Sequence, residues 1–295
     1  LEFKEFFKQV FRDYGKRFWR FWAILYIATV FVELFRQGLL ETLAAYGVFG
    51  FSSNVPIVIP NQFFSLSLFS NPIVIFLYIG AAFFQLWGFA ALYFSFTGMS
   101  ILNAVKAGLT KLWNYTFFVV VASTITLLGL VILSVPALLL LDAFTDIPVF
   151  IADGETLNRT LVLPLVILLG IPGIYFLVAF SQGPFILLFE KKGAFETLNE
   201  SRKRITPYWW KITVTLFITF VMATTTYFAL RWTIFSLKLA LIPDLSFRGE
   251  TMLRVFLYSI PWVVVASFYD LALYHIYQRL RGASAENNKQ SENGL

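Results

Sequence analysis

The chain has no cysteine among its 295 residues and a single histidine, His275. Disulfides, thiolate metal sites and cysteine nucleophiles are therefore excluded. One histidine without cysteine makes no zinc site. A serine–histidine enzyme would have to recruit His275 with a serine from elsewhere. The sequence holds no HExxH, no G-x-S-x-G and no P-loop. No catalytic set, metal site or cofactor is expected. Charge is scarce as well: Asp, Glu, Lys and Arg make up 14% of the chain against 58% hydrophobic residues, with 35 phenylalanines. No soluble domain of this length could cover so much apolar surface with so few charges. Several apolar runs reach the roughly 18–20 residues that cross a hydrocarbon core as a helix. The fold class is an all-α polytopic membrane protein.

Residues 3–16 read as an amphipathic helix at the membrane surface. Phe3, Phe6, Phe7, Val10, Phe11 and Tyr14 fall on one side, and Lys4, Lys8, Arg12 and Lys16 recur on the other. The same figure returns at 98–112, where Ile101, Leu102, Val105, Leu109 and Leu112 oppose Asn103, Lys106 and Thr110. It returns most clearly at 194–206. There Phe195, Leu198 and Ile205 share a face, Glu200 and Arg204 form an i,i+4 pair, and Pro207 ends the helix by disfavouring helical geometry at Thr206. Glu190 stands beside Lys191 and Lys192, salt-bridged at the interface. Six spans are expected at about 19–35, 73–96, 115–141, 160–188, 209–230 and 252–277. Residues 1–281 form one integral membrane domain, and 282–295 a polar, disordered tail.

Within this scheme local features carry meaning. Trp19, Trp113, Trp209 and Trp210 open spans and act as interfacial anchors. Gly80, Ala81, Ala82, Gly88, Ala90 and Ala91 permit close helix packing in the second span. Pro172, between Gly170 and Gly173, predicts a kink in the fourth. The long segment 37–72 is too apolar for plain linker, and Gln62 to Phe69 lie in the interface. Asp142, Asp146, Asp153 and Glu155 make an acidic outer loop. Glu33 and Arg36 are spaced to pair at the outer interface. The chain opens on Leu1, which fits a fragment or an unusual start. Its first apolar run is rich in bulky aromatics and lacks a good small-residue cleavage site, so it reads as a retained span.

Most of the 23 Lys and Arg fall in residues 1–20, 97–113, 189–211 and 276–295. Six spans put all four regions on one side, and the positive-inside rule makes that side cytoplasmic, with both termini inside. The expected location is a prokaryotic plasma or inner membrane. Basic residues beside apolar spans point to anionic headgroups of the inner leaflet, not to nucleic acid. The expected headgroup contacts are Lys4, Lys8, Arg12, Lys16, Lys106, Arg202, Lys203 and Arg204. A protein partner or a homo-oligomer is left open.

The surface stretches also align with one another. Leu102-Asn103 corresponds to Leu198-Asn199; in the same register Lys106 falls on Arg202, Leu109 on Ile205, Thr110 on Thr206 and Trp113 on Trp209. Arg12 stands before Trp19 as Lys106 stands before Trp113. A unit of surface helix, span out and span back is repeated three times. The alternative is convergence, because any such junction needs an amphipathic helix and an interfacial Trp. The run from Pro184 through Glu190, Gly193 and Ser201-Arg202 to Trp209-Trp210 resembles the junction in a group of bacterial and archaeal six-span proteins. That group includes the membrane domain attached to some glycerophosphodiester phosphodiesterases and related stand-alone membrane proteins. Residues 170–175 and the Tyr274, Tyr277, Arg279 ending fit it too. The phosphodiesterase catalytic domain has no counterpart here, so the resemblance implies architecture and membrane residence but not that activity.

One intramembrane carboxylate stands out. Asp270 lies about 13 Å deeper along a helix than Arg279. An ionisable group at that depth faces a partner or a wet cavity. It is either a proton- or ligand-linked group, or a structural one paired with a snorkelling cation or with Tyr274. Gln85, Gln182 and Thr225 either line a polar groove with it or make interhelical hydrogen bonds. Two functions follow. The first is a non-enzymatic, lipid-associated scaffold or accessory module. The alternative is a transporter or channel for a lipid-like or small solute using Asp270.

Overall fold

In a bilayer each backbone polar group must be satisfied within its own segment, and an apolar chain meets that demand as helix. The computed structural model describes residues 2–45, 71–144, 171–241, 255–257 and 259–293, and among these the chain is helical without a strand. The helices are α1 (Phe3–Ala45), α2 (Pro72–Phe96), α3 (Ile101–Phe144), α4 (Ile171–Phe180), α5 (Gly183–Glu190), α6 (Ala194–Ile205), α7 (Trp209–Leu241) and α8 (Ser259–Asn293). Among the described residues six helical stretches are long and apolar enough to cross a membrane. The protein is a multi-pass, all-α membrane protein. The chain divides into two compact units, one of Leu1–Leu112 with Phe217–Tyr274 and the other of Trp113–Leu216 with His275–Leu295.

In the first unit α1 lies along α2. A Cβ at Gly88 would collide with Ala28, so only glycine admits this approach. Ala90 and Ala91 are buried beside it. Phe31 stacks on Phe84 with ring centroids 4.6 Å apart, and the Phe21 ring meets Phe96 edge-on at 4.9 Å. Asn71 caps α2 by accepting from the Ile73 N–H at 2.9 Å, with Pro72 at the first helical position. At the other end, the Arg17 guanidinium donates to the Phe96 carbonyl at 2.7 Å. Arg20 donates to Gly98 and Met99 at 3.1 Å each. Two cations thus sit on the negative end of α2. Gly98, with φ of 91°, makes the turn into α3.

In the second unit α3 and α4 meet at Gly129 and Gly173, and Gly183 abuts the Phe118 ring. Helix α6 buries Thr197, Leu198, Ser201 and Ile205, and the Ser201 hydroxyl donates to the Ala179 carbonyl at 2.6 Å.

Several boundaries differ from expectation. The stretches 3–16 and 98–112 are not separate surface helices: the first opens α1, and the second, from Ile101 onward, opens α3, each running on without a break. Nothing in either sequence breaks the turn: Gly15 and Gly108 are single helical glycines, which a helix tolerates. The apolar side of 3–16 is also partly covered by protein. Phe6 and Val10 are buried, and the Tyr14 hydroxyl donates to the Val264 carbonyl of α8 at 2.8 Å. The 194–206 helix does end at Ile205. Thr206 keeps helical angles, however, and Thr206–Tyr208 form one tighter 3-10 turn leading into α7. Pro207 fits because it opens that turn, where no N–H is required of it. Phe195 is exposed rather than on the buried face of α6.

The fourth span is interrupted at Ser181-Gln182, ahead of Pro184. The kink expected at Pro172 falls at the edge of the described residues. The helix of the fifth span, α7, runs on to Leu241. The tail expected to be disordered is helical to Asn293, in keeping with its Ala, Glu, Lys and Gln content. Gln62 to Phe69 and the acidic residues Asp146, Asp153 and Glu155 lie outside the described residues.

Candidate functional site

The first unit contains a groove of about 890 Å³ between α1, α2, α7 and α8. Helix α1 supplies Leu25, Ala28, Thr29, Val32, Glu33 and Arg36, which share one face by their three- and four-residue spacing. Helix α7 adds Tyr227, Phe228, Arg231, Trp232 and Phe235; Gln85 and Phe89 come from α2, and Ser259 and Trp262 from α8. Glu33 and Arg36 pair as expected, at 2.6 and 2.9 Å. The Arg231 guanidinium donates to the Tyr227 hydroxyl at 2.7 Å and lies 5.9 Å from that ring's centroid. Among the described residues no carboxylate pairs with Arg231.

Asp270 lies elsewhere in the same unit and does not line this groove. It is 7% exposed. Tyr93 of α2 hydrogen-bonds to it, rather than Tyr274 or a snorkelling cation, while its Oδ2 has no hydrogen-bond partner. The other expected members of a polar site do not join it. Gln85 is exposed on the groove wall, and Thr225 is exposed and absent from that wall. Gln182 belongs to the second unit, 1% exposed at the α4–α5 break. Threonines of α7 are largely spent on their own helix: Thr213, Thr215 and Thr226 donate to carbonyls four residues back at 2.7–2.9 Å.

The second unit holds a charged cluster. Arg204 grips Glu190 with two parallel bonds of 2.7 and 2.8 Å and donates through Nε to Glu200 at 2.8 Å. Tyr277 donates to Glu190 at 3.0 Å, and Lys192 stands 3.4 Å from Glu200. Arg204 is therefore an internal ligand of two carboxylates, not a headgroup contact. Its i,i+4 spacing from Glu200 was legible, whereas the longer reach to Glu190 was not.

The remaining basic candidates stand outward. Lys4, Lys8, Arg12, Lys16, Lys106, Arg202 and Lys203 are all exposed. Lys8 is 3.8 Å from Glu5 and Arg12 is 3.6 Å from Asp13, both in solvent-facing geometry. Trp19, Trp113 and Trp210 are largely exposed. Trp209 is not: it is half-buried and stacks on Tyr175 at 6.1 Å. The sequence hinted at the groove only through the Glu33–Arg36 spacing, which reads as an ordinary surface pair. Arg231 falls one residue past the end of the expected fifth span, where the sequence offers it no partner. Comparison with protein-family models, with curated proteins and with solved structures finds no match for this chain.

Proposed function

We propose that this protein is a non-enzymatic, lipid-associated module of a prokaryotic cell membrane, a scaffold or accessory subunit with both termini in the cytoplasm. One observation carries the reading. The basic residues at 4–16, 106 and 202–203 stand exposed on helices whose large apolar side chains, Trp19, Leu102, Trp113 and Phe195 among them, are also exposed. Exposed cations beside exposed aromatics suit a headgroup layer over hydrocarbon. The transporter reading has less to stand on, because Asp270, Gln85 and Thr225 share no common wall.

The test is binding of the reconstituted full chain to anionic lipid. Replacing Lys4, Lys8, Arg12 and Lys16 with Gln removes four surface charges, each worth about 1 kcal/mol next to an anionic leaflet. Enrichment of phosphatidylglycerol around the protein, read by spin-labelled lipid exchange, should fall. Enrichment equal to wild type would count against the proposal.

A further inference from the structure

We propose that the groove between α1, α2, α7 and α8 binds one anionic membrane phospholipid, with Arg231 taking the headgroup phosphate and the aromatic walls taking acyl chain. This goes beyond the lipid-associated reading, because Glu33 and Arg36 assign the groove to the outer interface, away from the basic cytoplasmic stretches. It adds a defined site and a defined occupant.

Size comes first. A volume of about 890 Å³ lies within the roughly 300–1,000 Å³ typical of small-molecule sites. Along α1 the groove runs from Leu25 to Arg36, a rise of about 16 Å. That is close to half of a hydrocarbon core about 30 Å thick, the depth of a single leaflet. Phe89, Phe228, Trp232, Phe235 and Trp262 give the walls an aromatic part that suits an acyl chain, and Thr29, Gln85 and Ser259 with the charged residues give a polar part that suits a headgroup.

Charge decides the headgroup. Glu33 and Arg36 neutralise each other through bonds of 2.6 and 2.9 Å. Arg231 lines the same walls with only the Tyr227 hydroxyl and ring as described partners. Arg231 is exposed on the groove wall, so its guanidinium is open to an anionic partner. A guanidinium has five N–H donors; one nitrogen is held by Tyr227, and the others can meet the two free oxygens of a phosphodiester. A choline or other cationic headgroup would repel Arg231, so a net-anionic lipid is favoured.

Access is lateral. Phe228 is 63% and Trp232 72% exposed on the groove wall. These exposed rings line an entry from the bilayer, so a lipid need not pass through water.

The experiment is native mass spectrometry of the full chain released from nanodiscs of equimolar phosphatidylglycerol and phosphatidylcholine. Wild type should retain one phosphatidylglycerol. Arg231→Gln should lower the retained fraction about tenfold, the loss expected for one charge-assisted hydrogen-bonded contact. Arg231→Lys should keep part of it. Val32→Trp, which fills the groove without replacing the cation, should displace the phosphatidylglycerol. Equal retention by wild type, Arg231→Gln and Val32→Trp would overturn the site. Displacement of the lipid by millimolar glycerol phosphate or inorganic phosphate would overturn the lipid occupant and leave a free-phosphate site. The Lys4/Lys8/Arg12/Lys16 variant should retain the bound lipid while losing annular enrichment. If Arg231→Gln changes nothing but that variant loses enrichment, the groove assignment fails and the lipid-associated reading stands. If neither variant changes anything, both fail.

Discussion

Replacing Arg204 with Gln should destabilise the protein without weakening its hold on lipid. In the folded chain three nitrogens of Arg204 bind Glu190 and Glu200 at 2.7–2.8 Å. Removing the guanidinium leaves two carboxylates facing each other. Among the described residues Lys192, at 3.4 and 4.0 Å, and the Tyr277 hydroxyl remain to offset them. Breaking a buried ion pair from one side costs about 3–5 kcal/mol, whereas exposed pairs are worth about 0–1 kcal/mol. The Arg204 and Glu190 side chains are 11% and 14% exposed, and that of Glu200 is 28% exposed. The loss should therefore fall between these limits, at about 2–4 kcal/mol. Reversible unfolding in mixed micelles measures it. The double variant Glu190→Gln/Arg204→Gln should be less unstable than the two single losses added together, because the second change removes the orphaned charge. A change below about 0.5 kcal/mol, together with weaker enrichment of anionic lipid, would refute the reasoning and return Arg204 to the headgroup layer.

Asp270→Asn should leave stability unchanged or raise it by about 1 kcal/mol, since the amide keeps an acceptor for Tyr93 and removes a buried ionisable group. Tyr93→Phe should cost about 1–3 kcal/mol by stripping the carboxyl of its donor. Unfolding of both variants checks the pair, and a loss above about 2 kcal/mol in Asp270→Asn would mean that its charge is bound by a counter-ion. Gly88→Leu should lower stability by about 1–3 kcal/mol, because the new side chain must displace Ala28 of α1. Wild-type unfolding behaviour in that variant would show that α1 and α2 do not approach so closely.

Much of the architecture could be read from the chain. Span length is fixed by bilayer thickness, so apolar runs announced six crossings with little regard to detail. Small residues were equally direct: Gly88 has the one side chain that fits against Ala28. Helix ends were harder. An amphipathic face at 3–16 reads the same whether it meets headgroups or a neighbouring helix, and only the placement of Val264 beside Tyr14 separates the two. Pro207 suggested a break, yet one turn of 3-10 helix absorbs it. Polar side chains were the least legible. Asp270 was visible as a costly group, but its partner Tyr93 is on another helix. Arg17 and Arg20 sat in a basic run that looked uniform, and two of its members cap α2 instead of facing lipid. The groove brings together residues from four helices, and no spacing in the sequence announces that.

The central claim is that the basic stretches lie together on the cytoplasmic face of a six-span protein. Because the chain has no cysteine, single cysteines can be placed without background. Lys4→Cys, Lys106→Cys, Arg202→Cys and Arg281→Cys would each be exposed to a membrane-impermeant maleimide, in intact cells and after permeabilisation. All four should label only after permeabilisation. Labelling of any one of them in intact cells, with the others protected, would contradict the topology and the inner-leaflet role built on it.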